Sequence, residues 1–230
     1  AESLRQFADI LEAADDFNSA LNTLIRDTIR RHKRIIFNGN GYDEAWIKEA
    51  TEVRGLLNLK TTPDAMTHFL DEKNIKLFTT HHVYTEAEMR SRHEIMLENY
   101  CKTISIEAST MVDMVYKEIL PAVTAYTKEI CETGIAKKTF YSEADTTYEE
   151  MLTMRLSALS HSISLSVTEL EAEIHSSYII EDVEKLSLAI RDRVLSKMQE
   201  LRAICDEAEY ITAEKYWPYP TYSALLYGVQ

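Results

Sequence analysis

The chain has 230 residues, of which 45% are hydrophobic and 27% are charged, and it carries only five glycines and four prolines. This composition is typical of a globular protein and argues against intrinsic disorder. The formal net charge is −13, from 38 acidic and 25 basic residues. Such a balance argues against nonspecific nucleic-acid binding, which needs a basic face, and against docking on an anionic membrane. No apolar run approaches the ~20 residues of a membrane-spanning helix.

The N-terminus and the cysteines bear on processing and location. The first ten residues lack the basic start and apolar stretch of a signal peptide, and the chain does not begin with Met. We therefore expect a chain that was cut from a longer protein or trimmed. Cys101, Cys131 and Cys205 are widely spaced and form no zinc or redox motif, so we expect reduced core thiols in a cytoplasmic protein.

The first predicted element is a helix over about residues 2–32, in which Leu4, Phe7 and Leu11 begin an apolar stripe. It ends in a basic cluster made of Arg30, Arg31, His32, Lys33 and Arg34. This cluster has two interpretations. It is either a phosphate or partner site, or a set of cations that the helix macrodipole favours at a C-terminus.

A glycine-rich turn follows in the sequence RIIFNGNGY. Residues 34–37 have the composition of an extended segment, and residues 38–41 predict a tight turn, because Asn and Gly tolerate positive φ. Asp43 is then expected to cap a short helix that runs to Arg54. A strand, turn and helix in this order can hold phosphate on backbone N–H groups. The complete dinucleotide or P-loop motif is absent, so a purely structural turn is the competing interpretation.

The middle of the chain predicts a long central helix. Thr62 and Pro63 begin a short helix, with the threonine as its cap, and residues 85–88 form a capping box that opens a helix over about 86–120. We expect Pro121 to kink or break this helix, and Gly134 to stop any continuation. Its apolar face is predicted to comprise Met96, Tyr100, Ile104, Ala108, Met111, Val115 and Ile119, widened by Leu97, Cys101, Ile106 and Val112.

Two further apolar stripes predict an antiparallel, coiled-coil-like helical hairpin over about residues 147–209, with a short turn near 178–182. Prolines 218 and 220 predict an extended aromatic strap, followed by a short helix near 223–227. The fold class is therefore all-α: a bundle of four long helices with short helical elements between the first and second. We expect one domain over 1–230, with a core made of 1–134 and 205–230 and the hairpin projecting from it.

Few residues predict chemistry. His81, His82, His93 and Glu94 could together bind a metal, but their spacing matches no known ligand pattern, which favours surface or capping histidines. Glu107 lies in an apolar stretch, where a buried carboxylate would either gain a raised pKa or pair with a base. From the residues alone we assign no catalytic, cofactor-binding or metal-binding residue.

Several strings carry a family resemblance. They are HKRIIFNGNGY (32–42), GLLNLKTTPDA (55–65), RSRHEIMLENYCKTISIEASTMVDM (90–114), ILPAV (119–123) and YWPYPTY (216–222). Together they resemble the C-terminal region of type III glutamine synthetases, the long bacterial form of the enzyme. The similarity is continuous over about 13–123 and returns near 201–227.

The resemblance implies a parent enzyme that makes glutamine from glutamate, ammonia and ATP with divalent Mg or Mn ions. Its metal-binding glutamates and phosphate-binding arginines would lie in a preceding β-rich catalytic domain, so this chain alone is expected to be inactive and to hold no cofactor. Residues 38–42 could support the edge of that domain. The expected partners are the catalytic domain and neighbouring subunits, and the expected role is structural. The alternatives are a regulatory helical domain that binds an anion or nucleotide, and a free-standing helical interaction module.

Overall fold

The computed structural model describes residues 1–228, except for the side chains of Tyr222 and Ser223. Every regular element in this range is helical, which confirms the predicted all-α class. Within the same range, no helix is both long and apolar enough to cross a membrane. The chain divides into two compact units, Ala1–Leu59 and Lys60–Gln230. The expectation of one domain over 1–230 stays a prediction.

The first unit begins with two helices where the sequence predicted one. Helix α1 (Glu2–Glu12) ends before α2 (Phe17–His32), because the Asp16 carboxylate caps α2 by accepting hydrogen bonds from the amides of Asn18 and Ser19 at 3.0 and 3.3 Å. A 3₁₀ turn (Lys33–Ile35) follows. Helix α3 (Glu44–Lys48) then continues into a π turn (Glu49–Val53), with Asp43 as the predicted cap.

The second unit opens with two short helices, α4 (Thr62–Met66) and α5 (Glu72–Thr80). The cap of α4 is Thr61, whose hydroxyl accepts from the Asp64 amide, and not the predicted Thr62. Helix α6 (Glu86–Met114) begins with the predicted capping box: the Thr85 amide donates to Glu88 at 2.7 Å, and the Glu88 amide donates to Thr85 at 3.2 Å.

The helical path does not end at Pro121 or at Gly134. A π turn (Val115–Ile119) leads from α6 directly into α7 (Leu120–Phe140), and Pro121 occupies the first turn of α7, where its missing N–H is tolerated. The predicted stop at Gly134 is wrong. Glycine costs a helix interior about 1 kcal/mol relative to alanine, and the packing of α7 on the next long helix outweighs this cost.

The third and fourth long segments form the predicted antiparallel pair. Helix α8 (Thr147–Ser177) turns over residues 178–182 into α9 (Val183–Ala189), a π turn (Ile190–Val194) and α10 (Leu195–Ile211). Helix α8 packs on both α7 and α10, and its buried side chains share one core with α6, α7 and α10, formed by residues such as Ala108, Val123, Leu156, Ile163, Val167, Leu170 and Leu201.

The remaining elements complete that core. Trp217 and Tyr219 of the predicted aromatic strap pack against it, and Thr221 caps α11 (Tyr222–Tyr227).

The buried face of α6 differs from the predicted one. Met96 and Ile106 were predicted to lie on that face but are exposed. The buried face comprises Met89, His93, Leu97, Cys101, Ala108 and Val112. All three cysteines are free thiols; Cys101 and Cys205 are buried, and Cys131 is half-buried.

Candidate functional site

The turn at residues 38–41 adopts a geometry that the sequence did not predict. Positive φ occurs at Gly55 (+65°), just after the π turn, and not at Gly39 or Gly41. Gly39 instead packs closely against an aromatic ring: an added Cβ would lie 2.7 Å from Cζ of Phe37, so that ring would have to move. The Asn40 side chain closes the turn by accepting a hydrogen bond from the Tyr42 amide at 3.1 Å. The turn is therefore held by an aromatic ring and an asparagine side chain.

Arg54 ties this turn to the end of the first unit. Its Nη1 donates to the backbone carbonyls of Arg34 and Ile36 at 3.2 and 2.8 Å, and its Nη2 donates to Glu49 at 2.6 Å. The guanidinium also lies 4.8 Å from the centroid of the Trp46 ring, and that ring stacks on Phe37 at 3.7 Å. Since the Arg54 side chain is only 20% exposed, these contacts replace most of its hydration.

The N-terminus of α3 does not form a phosphate cradle. The Asp43 carboxylate accepts a hydrogen bond from the Ala45 amide at 3.0 Å and places a negative charge where a phosphate would lie. Helix α3 also has only five α-helical residues, so its macrodipole is small. The structural interpretation of the turn explains this geometry better than backbone phosphate binding does.

The basic cluster at residues 30–34 is exposed and borders a groove. Arg30 lies 4.0 Å from Asp27, at the limit of an ion pair. The groove has a volume of about 480 Å³, and its walls combine two isoleucines with cationic and polar side chains: Ile29, Ile36, Lys33, Arg34, Arg54 and Asn38. A partner that fits it would present apolar and acidic groups together.

The first unit exposes most of its apolar side chains. Among residues 1–59, all of which are described, only Ala50 is buried. Eight large aliphatic or aromatic side chains are between 43% and 71% exposed, and we call them the first-unit apolar surface: Leu4, Ile10, Phe17, Ile25, Ile29, Ile35, Ile36 and Leu57. Exposed apolar side chains in such numbers are typical of an interaction surface.

The histidine and glutamate candidates do not come together. His81 and His82 are exposed, as predicted for surface histidines, and Glu94 is exposed on α6. His93 is buried, contrary to expectation, with Nε2 3.9 Å from Oε1 of Glu184. Glu107 is exposed, because its side of α6 faces away from the core. Within the described part of the chain, no three His, Cys, Asp or Glu side chains are placed to hold one metal ion.

Comparison with known families decides the assignment. A family model for the glutamine synthetase C-terminal domain matches residues 20–138, which is just over half of the chain. The chain belongs to the glutamine synthetase C-terminal domain family. The matched segment includes most of α2, the basic cluster and the Arg54-bound turn. It extends through α6 and most of α7.

Individual glutamine synthetases match nearly the whole chain. The chain is 34% identical over 218 residues to a glutamine synthetase of Butyrivibrio fibrisolvens, covering 95% of this chain and 31% of that protein. It is 35% identical to a type-3 glutamine synthetase of Dictyostelium discoideum, covering 91% of this chain and 29% of that protein. The chain thus spans about 30% of the length of these relatives, and the resemblance to type III enzymes is confirmed.

Sequence reasoning missed two groups of residues that the structure brings together. The sequence predicts Arg54 only as the last residue of a short helix. In the structure it precedes Gly55, which has positive φ, and its long side chain reaches back to the carbonyl of Ile36. Lys137 and Glu149 form a 2.5 Å ion pair between α7 and α8. Nothing in their twelve-residue separation indicates that pair until both helix ends are known.

Proposed function

We propose that this glutamine synthetase C-terminal domain serves as a helical scaffold that packs on the catalytic portion of a longer, cytoplasmic enzyme and shapes contacts with neighbouring subunits. The first unit is the part that docks. Support comes from the relatives, which are glutamine synthetases about three times as long as the aligned segment. The three free thiols support the cytoplasmic location.

The exposed apolar surface of the first unit is the observation that carries this proposal. The second unit buries its own core, including Leu156, Ile163 and Leu170, whereas the helices of the first unit leave Ile25 and Ile29 about half exposed. Burying apolar area contributes roughly 25 cal/mol per Å², so covering these side chains favours association. The groove beside Lys33 and Arg34 adds a preference for acidic groups on the covering surface.

The chemistry of the parent reaction is proposed to occur outside this chain. That reaction would join glutamate and ammonia at the expense of ATP, with Mg or Mn ions neutralising the transferred phosphoryl group. The described residues of this chain do not fit such an ion, because their acidic and histidine side chains do not converge. We therefore assign no catalytic step to any residue here.

The docking role is tested in the full-length enzyme with the double variant Ile25→Asp/Ile29→Asp. Both positions are exposed, so the helices should still form, while two carboxylates would oppose burial against a partner. We expect a loss of oligomer in sedimentation velocity and at least a tenfold loss of glutamine synthesis. The matched control is Ile95→Asp/Ile106→Asp on α6, which carries the same change at exposed positions of the second unit. Equal behaviour of the two variants would contradict the proposal.

Anion or nucleotide binding is the second candidate, because Lys33, Arg34 and Arg54 line one groove. If this groove serves a soluble anion, calorimetry should detect binding of ATP or inorganic phosphate to the wild-type chain, and Lys33→Gln/Arg34→Gln should abolish it. Absence of binding at millimolar concentration would leave docking as the function of the groove.

A further inference from the structure

The second unit contains an open cavity that the scaffold role does not use. It lies between the C-terminal half of α7 and the first turns of α8 and has a volume of about 710 Å³. Ile130, Ile135 and Met154 contribute apolar walls, and Gly134 lies where α7 approaches α8. This volume lies within the usual range of small-molecule sites, and such sites combine apolar walls with a few polar groups.

Glu149 adds a buried hydrogen-bond acceptor to the apolar walls of this cavity. It lines the cavity, yet only 6% of its surface is exposed. Its Oε1 accepts a hydrogen bond from Nζ of Lys137 at 2.5 Å. Its Oε2 is buried and has no hydrogen-bond partner among the described residues. A buried acceptor without a donor is unfavourable, and a ligand that supplies a donor gains that missing interaction.

The charges around the cavity favour a cationic donor. Among the residues that line the cavity, Lys138 provides one positive charge, while Glu149 and Glu150 provide two negative charges, which leaves a net charge of −1. The hydrogen bond from Lys137 lowers the pKa of Glu149, so this carboxyl is ionised at neutral pH and acts only as an acceptor. A carboxylate ligand would be repelled, whereas an ammonium group would neutralise the local excess.

We propose that the α7–α8 cavity binds a small amphiphilic amine, with its hydrocarbon body against Ile130, Ile135 and Met154 and its ammonium group donating a hydrogen bond to the Glu149 carboxylate. This site is independent of docking through the first unit. The apolar walls supply affinity for the hydrocarbon body, and the buried carboxylate supplies the preference for the head group.

The test is calorimetric titration of the 230-residue chain with n-octylammonium and, separately, with octanoate, which has a tail of the same length and the opposite charge. We expect octylammonium to bind one molecule per chain and at least tenfold more tightly than octanoate. Glu149→Gln should weaken octylammonium binding at least tenfold while leaving octanoate binding no weaker. Equal binding of the two amphiphiles, or no binding of octylammonium at millimolar concentration, would overturn the proposal.

A second pair of variants protects the test against misfolding of Glu149→Gln. Ile135 and Ile106 are both 67% exposed, but only Ile135 lines the cavity. Ile135→Asn should weaken octylammonium binding at least fivefold without disturbing the Lys137–Glu149 pair, and Ile106→Asn should leave it unchanged. If both substitutions weaken binding equally, the amphiphile associates nonspecifically and the proposed site is wrong.

Discussion

Nη1 of Arg54 donates a hydrogen bond to the backbone carbonyl of Ile36, 2.8 Å away, and this contact joins the end of the first unit to the turn that precedes α3. The same guanidinium pairs with Glu49 and lies over the Trp46 ring. One side chain therefore links residues 34–36 to the continuous helical stretch over residues 44–53.

Arg54→Ala should loosen that turn. Hydrogen bonds from a charged donor contribute about 1.5–3 kcal/mol each, so we expect hydrogen exchange at the Ile36 and Trp46 amides to accelerate by roughly ten- to a hundredfold. Exchange measured by mass spectrometry or NMR checks this. Arg30→Ala, at a side chain that is 74% exposed, is the control and should change exchange very little. Similar exchange in both variants would show that Arg54 does not hold the turn.

Leu156→Ala should strongly destabilise the second unit. Leu156 is fully buried on α8, where truncation leaves a cavity, and such changes cost about 2–5 kcal/mol. Leu165→Ala, on the same helix at a side chain that is 54% exposed, should cost less than about 1 kcal/mol. Urea unfolding followed by circular dichroism compares the two. Equal costs would be incompatible with α8 at the centre of the core.

The Lys137–Glu149 pair should make stability depend on pH. Because Lys137 lowers the pKa of Glu149 in the folded state, the stabilisation is complete above the ordinary glutamate pKa of about 4.3 and is lost as pH falls through the lower, folded value. Lys137→Met should therefore lower the urea midpoint at pH 6, and the difference from wild type should shrink at pH 3. A difference that is independent of pH would rule out this linkage.

The three cysteines should differ in reactivity. Burial raises the pKa of the Cys205 thiol to about 11 and also raises the pKa of Cys101, whereas Cys131 is only half-buried. At pH 8, iodoacetamide should label Cys131 first and should reach the other two only after unfolding, because the thiolate is the nucleophile. Peptide mass spectrometry identifies the labelled sites. Rapid labelling of native Cys205 would contradict its buried position.

The long helices could be predicted from the sequence because their signals are local. The capping box at Thr85 and Glu88 predicted the start of α6. The long stretches without Gly or Pro predicted the approximate positions of α6, α8 and α10. The break before Asp16 was missed, since the apolar spacing continues across it and only the cap geometry interrupts the helix. Gly134 was wrongly predicted to end a helix. The packing of α7 on α8 keeps the chain helical through this glycine, although glycine is locally unfavourable in a helix.

The sites were less predictable, because they depend on contacts between distant residues. Periodicity identifies the buried stripe of α8, but it does not indicate that α6, α7 and α10 all pack around that stripe. The bonds from Arg54 to the carbonyls of Arg34 and Ile36 leave no sequence signal, since every residue has a carbonyl. Similarly, Glu107 and Met96 lie in apolar sequence, and only the packing of α6 shows that they are exposed.

The most direct test of the proposed scaffold role is hydrogen exchange compared between the 230-residue chain alone and the longer glutamine synthetase that we propose contains it. If the first unit docks on the catalytic portion, amides of α2 (Phe17–His32) should exchange at least tenfold more slowly in the full-length enzyme, while central α8 amides near Ile163 should exchange equally in both. Unchanged exchange across α2 would contradict docking through the first unit.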